Sequence, residues 1–294
     1  MGEALVLLLR EDESNYELDF LDLRNDVVFK AFFGDRRNNK LLLDFLRAIL
    51  GEDIVSVELT TPYVELSHAK DKSSEMDLRV LTANGEQINV EMQLKGHKAF
   101  KERMLIYWAK MYGIQDEIGK SYDELNKAIQ IVVTDFTLLS KPHFHSKFQL
   151  IDPDGTLFSS HAEIHVLELS KVVGLQPQDA SKLEQWLLFL KSDKETMEAL
   201  AMESSTMREA FEEIRRLSDD PATRAAAISR EIHLKDQLQR ELDAKADGKQ
   251  EGKEEGKTEI ILNMYKKQYP VEAIADITNI SLQDVLRIVK TSLQ

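Results

Sequence analysis

Apolar and polar residues alternate with a period of two along two neighbouring stretches, 75–80 and 88–95. In the first, Met76, Leu78 and Val80 alternate with Glu75, Asp77 and Arg79. In the second, Ile88, Val90, Met92 and Leu94 alternate with Asn89, Glu91, Gln93 and Lys95. A period of two predicts strands with one apolar and one polar face, and Ala83-Asn84-Gly85 between them predicts a hairpin. Loop length sets the register, and a slip of one residue would exchange the faces. A two-residue Asn84-Gly85 turn would oppose Asp77 to Met92 and mix the faces. A three-residue loop with Gly85 in the left-handed conformation instead pairs Leu78 with Val90, Val80 with Ile88 and Asp77 with Glu91.

Other periods fill in the rest of the chain. Residues 24–50 carry apolar positions at helical spacing, with a break near Gly34-Asp35, and 55–66 reads as a strand leading to the hairpin. Phe100, Met104, Tyr107, Trp108, Met111, Tyr112, Gln115 and Ile118 recur as on a helix, with Gly119 as its expected stop. Tyr107 and Trp108 are expected in the core. The nearly unbroken apolar run 128–134 suits a strand covered on both faces. Further strands are expected at 144–151 and 161–169, and helix beyond Gly174. The predicted core order is αβββαβ. The domain scheme is an acidic arm at 1–22, a core at 23–172, a helical region at 173–246, a Gly/Lys/Glu segment at 247–258 and a terminal unit at 259–294. Gly248, Gly252 and Gly256 fit either a charged linker or an oligomerisation helix. The terminal unit reads as three short helices resembling a helix-turn-helix, with Ser281 as a cap.

Composition narrows the chemistry. At 294 residues and 43% hydrophobic content the chain can bury a full core. It has no cysteine, which removes disulfides, thiolate metal sites and cysteine nucleophiles and fits a cytoplasmic location. The apolar run 4–9 is too short for a bilayer and has no basic flank before it, so no membrane association is expected. A net charge of −14 disfavours indiscriminate nucleic-acid binding, so any DNA contact must use a local basic patch. No Gly-rich phosphate loop with Gly-Lys-Ser/Thr is present, which disfavours nucleotide hydrolysis. His143, His145, His161 and His165 have ligand-like spacing, but no cysteine or tight cluster accompanies them, and structural or exposed histidines are expected.

Opposed carboxylates at 77 and 91 would repel each other unless they shared a cation, and an all-oxygen set suits a hard ion such as Mg²⁺. A solvated polar face on an edge hairpin is the alternative. Glu75 lies on the same face and is a candidate for a second metal.

The order αβββαβ with Asp77 in one strand and Glu91-Met92-Gln93 in the next resembles the PD-(D/E)XK nuclease superfamily. Residues 25–34 (Asn-Asp-Val-Val-Phe-Lys-Ala-Phe-Phe-Gly), 90–93, 101–107 and 119–125, with the glycine-punctuated tail, are similar to a bacterial family of recombination-promoting nucleases and transposases. This resemblance covers about residues 20–294. It implies an α/β, restriction-endonuclease-like core and an Mg²⁺-dependent DNA endonuclease in which Mn²⁺ can substitute, active in mobile-element recombination or defence against foreign DNA. Asp77, Glu91 and the carbonyl of Met92 are then the metal ligands, and Gln93 stands where the superfamily has lysine. A neutral glutamine orients water or phosphate but supplies no charge. The motif's proline has no clear match before Asp77. Asp26 and Lys30 are supporting residues facing the cleft, or else an exposed i,i+4 pair. Lys95 is a further support, while Lys98, Lys101, Arg103 and Lys110 are candidates for DNA phosphate contacts. A homo-oligomer is expected. The alternative is a catalytically silent DNA-binding or oligomeric scaffold that keeps the fold. RNA cleavage would use the same chemistry, and the residues offer no three-carboxylate strand-transfer core.

Overall fold

The computed structural model describes residues 20–51, 54–60, 78–96, 98–119, 121–191 and 193–292. The chain divides into two compact units, residues 1–230 and 231–294.

The first unit opens with α1 (Asp26–Phe33) and α2 (Asn39–Leu50), joined by a short 3-10 turn. The helical stretch expected over 24–50 is two helices, interrupted at the expected break near Gly34-Asp35. Asn25 caps α1 by accepting the Val27 N–H, and Gly51, with φ of 63°, ends α2. The sheet strands are β1 (Val57–Leu59), β2 (Leu78–Thr82), β3 (Gln87–Gln93), β4 (Ala128–Thr134), β5 (His145–Ile151) and β6 (Leu157–Glu168), with α3 (Phe100–Gly113) between β3 and β4. Of the strand expected at 55–66, the described part is β1 alone, and 61–66 lie outside the described residues. Helices α4 (Lys182–Lys191), α5 (Lys194–Glu203) and α6 (Ser205–Asp219) follow. α5 and α6 are separated at Ser204, which caps α6 by accepting the Met207 N–H.

The six strands lie in the order β1-β2-β3-β4-β6-β5. The β1-β2, β2-β3 and β5-β6 pairs are antiparallel, whereas β3-β4 and β4-β6 are parallel. The helical crossover through α3 is what allows β4 to run parallel to β3. Leu78 pairs with Val90 and Val80 with Ile88, the register expected from the faces. Thr82 N–H donates to Glu86 O (3.0 Å) and Gly85 N–H to Thr82 O (3.0 Å), enclosing a loop of Ala83, Asn84 and Gly85. Gly85 has φ of 82°, which a side chain would strain.

One sheet face carries Ile88, Val90, Met92, Ile129, Ile131 and Val133, all buried against the helices. Phe33, Phe45, Trp186 and Phe189 interlock there with ring centroids about 5–6 Å apart, each burial stabilising by about 1.5–3 kcal/mol. The other face was expected to be polar on both hairpin strands, with a solvated edge as one reading. On β3 it is neither solvated nor at an edge. β3 is interior, and Phe100, Met104 and Tyr107 of α3 pack with Val132 over this face. All seven residues of β4 are buried, as its unbroken apolar run implies.

One further expectation changes: α3 stops at Gly113, six residues before Gly119, and Ile118 is fully exposed. Of the arm expected over 1–22, residues 1–19 lie outside the described residues; Phe20 stacks on Phe211 (5.2 Å), and Leu21 is buried. Leu21 N–H also donates to Ser218 Oγ (2.9 Å).

The long helix α7 (Pro221–Lys266) is continuous through 247–258, so this segment is not a loop linker. In the second unit α8 (Val271–Thr278) and α9 (Leu282–Thr291) complete a small core of Ile261, Ile274, Val285 and Val289. Ser281 accepts the Asp284 N–H, the cap read from the sequence. No helix among the described residues is long and apolar enough to cross a membrane.

Candidate active site

Strand β3 directs Asn89, Glu91 and Gln93 to the face beneath α3, because alternate residues of a strand share a face. Glu91 is 2% exposed and Asn89 fully buried. Asn89 Nδ2 donates both to Glu91 Oε1 (3.0 Å) and to Gln130 Oε1 (3.0 Å). Two oxygen acceptors fix the amide's orientation, since the flipped amide would oppose oxygen to oxygen. Asn89 Oδ1 is then a buried acceptor without a hydrogen-bond partner among the described residues. Burial of a carboxylate costs several kcal/mol unless its environment compensates, and such positions are where functional carboxylates concentrate.

At the end of the strand Gln93 is half-buried. Its Oε1 accepts a hydrogen bond from Arg103 Nη2 on α3 (2.7 Å). The Arg103 guanidinium lies 5.3 Å from the Phe100 ring centroid and 5.7 Å from that of Tyr107. Gln93 O accepts the Asp135 N–H (3.1 Å), and the Asp135 carboxylate accepts from Arg24 Nη1 (3.1 Å).

The remaining expected residues are dispersed around this row. Asp26 is held by Arg230, with Nε to Oδ1 at 2.8 Å and Nη2 to Oδ2 at 2.7 Å. Lys30 is half-buried on α1. The Met92 side chain lies in the core on the opposite face, so only its carbonyl could serve as a ligand. Lys95, Lys98, Lys101 and Lys110 are exposed. Tyr107 is buried, as expected, and Trp108 half-buried with its indole N–H on Ala128 O (2.9 Å). Asp77 and Glu75 lie outside the described residues. Among the described residues no group of three or more His, Asp or Glu is arranged to hold a metal.

Two of the histidines, His145 and His165, form a different assembly on the opposite sheet face. His145 Nε2 and His165 Nδ1 are 2.8 Å apart, and His165 Nε2 lies 2.6 Å from Glu163 Oε1. Glu163 Oε2 accepts from Lys147 Nζ (2.8 Å) and Gln149 Nε2 (3.1 Å), with Lys127 Nζ at 3.4 Å. Burial alone would raise the Glu163 pKa. The hydrogen bonds from His165 and Lys147 and the Lys127 charge outweigh it and hold it at about 2. Burial, with the charges of His165 and Lys147, pushes His145 down to about 4. The contacts among His145, His165, Glu163 and Lys147 make a charge network, and His161 stands apart from it, sharing a hydrogen bond with Tyr112 of α3 (3.1 Å).

A model of the PD-(D/E)XK nuclease family transposases matches residues 23–243, most of the chain. The chain belongs to this family. No curated protein and no solved structure matches it. The mixed α/β architecture with its six-stranded mixed sheet is consistent with a PD-(D/E)XK-like fold. Membership in the PD-(D/E)XK transposase family points to nuclease or transposase activity. Within the matched region, sequence reasoning had missed Asn89, Gln130 and the bond between Arg103 and Gln93. The available signal was Gln130, the one amide inside the otherwise apolar run 128–133.

Proposed function

We propose that the protein is a metal-dependent DNA endonuclease that hydrolyses phosphodiester bonds at the β2-β3 hairpin. The observation that carries the proposal is the buried Glu91, fixed by Asn89 on an interior strand of a PD-(D/E)XK family member. The donor set fits a hard divalent ion: it is all oxygen, and Asn89 Oδ1 adds a buried acceptor without a described partner. Glu91, the Met92 carbonyl and Asp77 would hold Mg²⁺, with Mn²⁺ as a substitute. When bound, the ion supplies Lewis acidity and a water of lowered pKa.

The chain's own groups do the remaining work. Asn89 sets the Glu91 carboxylate through Oε1, and Gln130 sets Asn89. Gln93 offers its amide to water or phosphate. Phe100, Met104 and Tyr107 of α3 pack over the face that carries the row and limit solvent there. Lys98, Lys101 and Lys110 supply exposed positive charge for the phosphates of DNA in an otherwise acidic protein, and Lys95 does the same at the strand end. We assign the activity to mobile-element recombination or defence against foreign DNA, in a cytoplasmic homo-oligomer.

The test is cleavage of supercoiled plasmid with Mg²⁺, Mn²⁺ or EDTA, beside folded Glu91→Ala and Asp77→Ala variants. Nicked or linear product from the wild type alone, and only with metal, supports the proposal. The neutral Gln93 favours a second reading, a scaffold that binds DNA without cutting it. That reading requires bound but intact duplex DNA, single-stranded DNA and RNA under all three conditions.

A further inference from the structure

Arg103 differs from the arginines of the first unit that are held in ion pairs. Arg24, Arg37, Arg216 and Arg230 each face a carboxylate. Arg103 is half-buried, yet among the described residues its hydrogen-bond acceptor is the neutral amide of Gln93. Its Nε is buried and has no hydrogen-bond partner among them. A guanidinium stays protonated at any physiological pH, so an amide leaves its full charge in place for an anion. The rings of Phe100 and Tyr107 hold the plane by cation–π contact without neutralising it. A desolvated, oriented cation of this kind suits a phosphate, whose oxygens match the guanidinium fork.

The location adds a second argument. Gln93 follows Glu91 by two residues on the same strand face, roughly 7 Å along the chain. A charge anchored on Gln93 Oε1 therefore stands beside the carboxylate row, at the strand position that itself carries no charge. We infer that Arg103, reaching from α3 across to β3, supplies the cation that meets the phosphate at Gln93, with Gln93 as its positioning residue. This rests on the phosphodiester reading of the site. It makes the uncharged strand residue part of a two-residue device in which the amide positions and the guanidinium carries charge.

Four proteins test it: wild type, Arg103→Met, Gln93→Glu and the double variant Gln93→Lys/Arg103→Met. The metal-free readout is binding of a fluorescein-labelled 20-bp duplex in EDTA as salt is raised. Losing one phosphate contact lowers the slope of log affinity against log salt by about one. Arg103→Met is expected to show this fall. Gln93→Glu, which keeps the arginine but neutralises it with a charge-assisted bond and so favours the fold, is expected to show it too. With Mg²⁺ and saturating plasmid, Arg103→Met is expected to cut about 100-fold more slowly, and the double variant to recover at least about tenfold. A clamp that merely joins α3 to β3 would lower the melting temperature and leave both the slope and the lysine rescue unmoved. An unchanged slope in both Gln93→Glu and Arg103→Met overturns the inference, as does cleavage by Arg103→Met at the wild-type rate. If the wild type cuts nothing, the nuclease reading falls, and the salt slope alone decides whether Arg103 meets phosphate.

Discussion

Replacing Asn89 by aspartate changes almost no volume and reverses the chemistry of the buried row. The Nδ2 group that donates to Glu91 Oε1 and Gln130 Oε1, each at 3.0 Å, becomes an oxygen. Two carboxylates then face each other at hydrogen-bond distance. At an effective dielectric of 20 their repulsion is about 4 kcal/mol. A lost bond to a charged acceptor adds about 1.5–3 kcal/mol. Gln130 can turn its amide and donate to the new aspartate, which returns about 1 kcal/mol. The expected loss at pH 8 without metal is about 4.5–6 kcal/mol, a large part of the stability of an ordinary domain. The sign with pH follows from proton binding. One carboxyl of the folded pair takes up its proton at higher pH than in the unfolded chain. The folded variant therefore binds more protons, and its stability falls as pH rises. Urea unfolding in EDTA at pH 8 and pH 5 reads both effects as the difference from wild type. The deficit should shrink by about half at pH 5. Equal stability at pH 8, or a deficit identical at both pH values, would refute the assigned network.

The histidine–glutamate network gives a second pH prediction. Glu163 is held at about 2, below its ordinary 4.5, so its contribution is complete above about pH 4.5 and is lost as pH falls toward 2. His145, lowered from 6.5 to about 4, acts in the same direction. Below pH 6.5 the unfolded chain takes up a proton that the folded chain refuses until about pH 4, so stability falls on acidification through that window. Glu163→Gln should flatten the lower limb of a urea-unfolding pH series and cost about 2–3 kcal/mol at pH 7, because Lys147 and His165 lose a charged acceptor. At Gly96 an added Cβ would stand 2.6 Å from the Phe136 ring, which packs edge-on with Phe100. Gly96→Ala should cost about 1–3 kcal/mol in a thermal melt and slow cleavage by shifting the entry to α3. Trp186→Phe removes the indole bond to Asp44 Oδ2 (2.9 Å) in the helical core, away from the Glu91 row. It should cost about 1–2 kcal/mol in urea unfolding and leave the plasmid-cleavage rate unchanged.

The hairpin register was legible because it is encoded locally. The alternation of 76–80 and 88–94 and the three-residue loop admit one pairing that keeps the faces separate, and the structure has Leu78 opposite Val90. The strand 128–134 was legible for a similar reason, since its seven residues offer no polar face to solvent. What the alternation could not convey was the other neighbour of β3. The register that brings Asn89 beside Gln130 depends on the crossover through α3, a long-range choice written in no short window. The same choice turned the polar face inward and brought Arg103 to Gln93. Helix ends were less legible than helix faces: Gly113 ends α3 although the apolar spacing runs on to Ile118. The packing of Phe20 and Leu21 on α6 depends on residues some two hundred positions away.

Strand order also dictates a timetable for the nascent chain. β6 follows β5 in sequence but is inserted between β4 and β5 in space. While the polypeptide emerges, the outer edge of β4 has no neighbour until residues 162–168 have been made. That edge belongs to Ala-Ile-Gln-Ile-Val-Val-Thr, a stretch without charge or proline, the composition that recruits strands from other chains. Released fragments that end between 135 and 156 therefore display an adhesive ribbon and should be recovered as aggregate. Synthesis of β6 closes that ribbon as part of the ordinary course of folding.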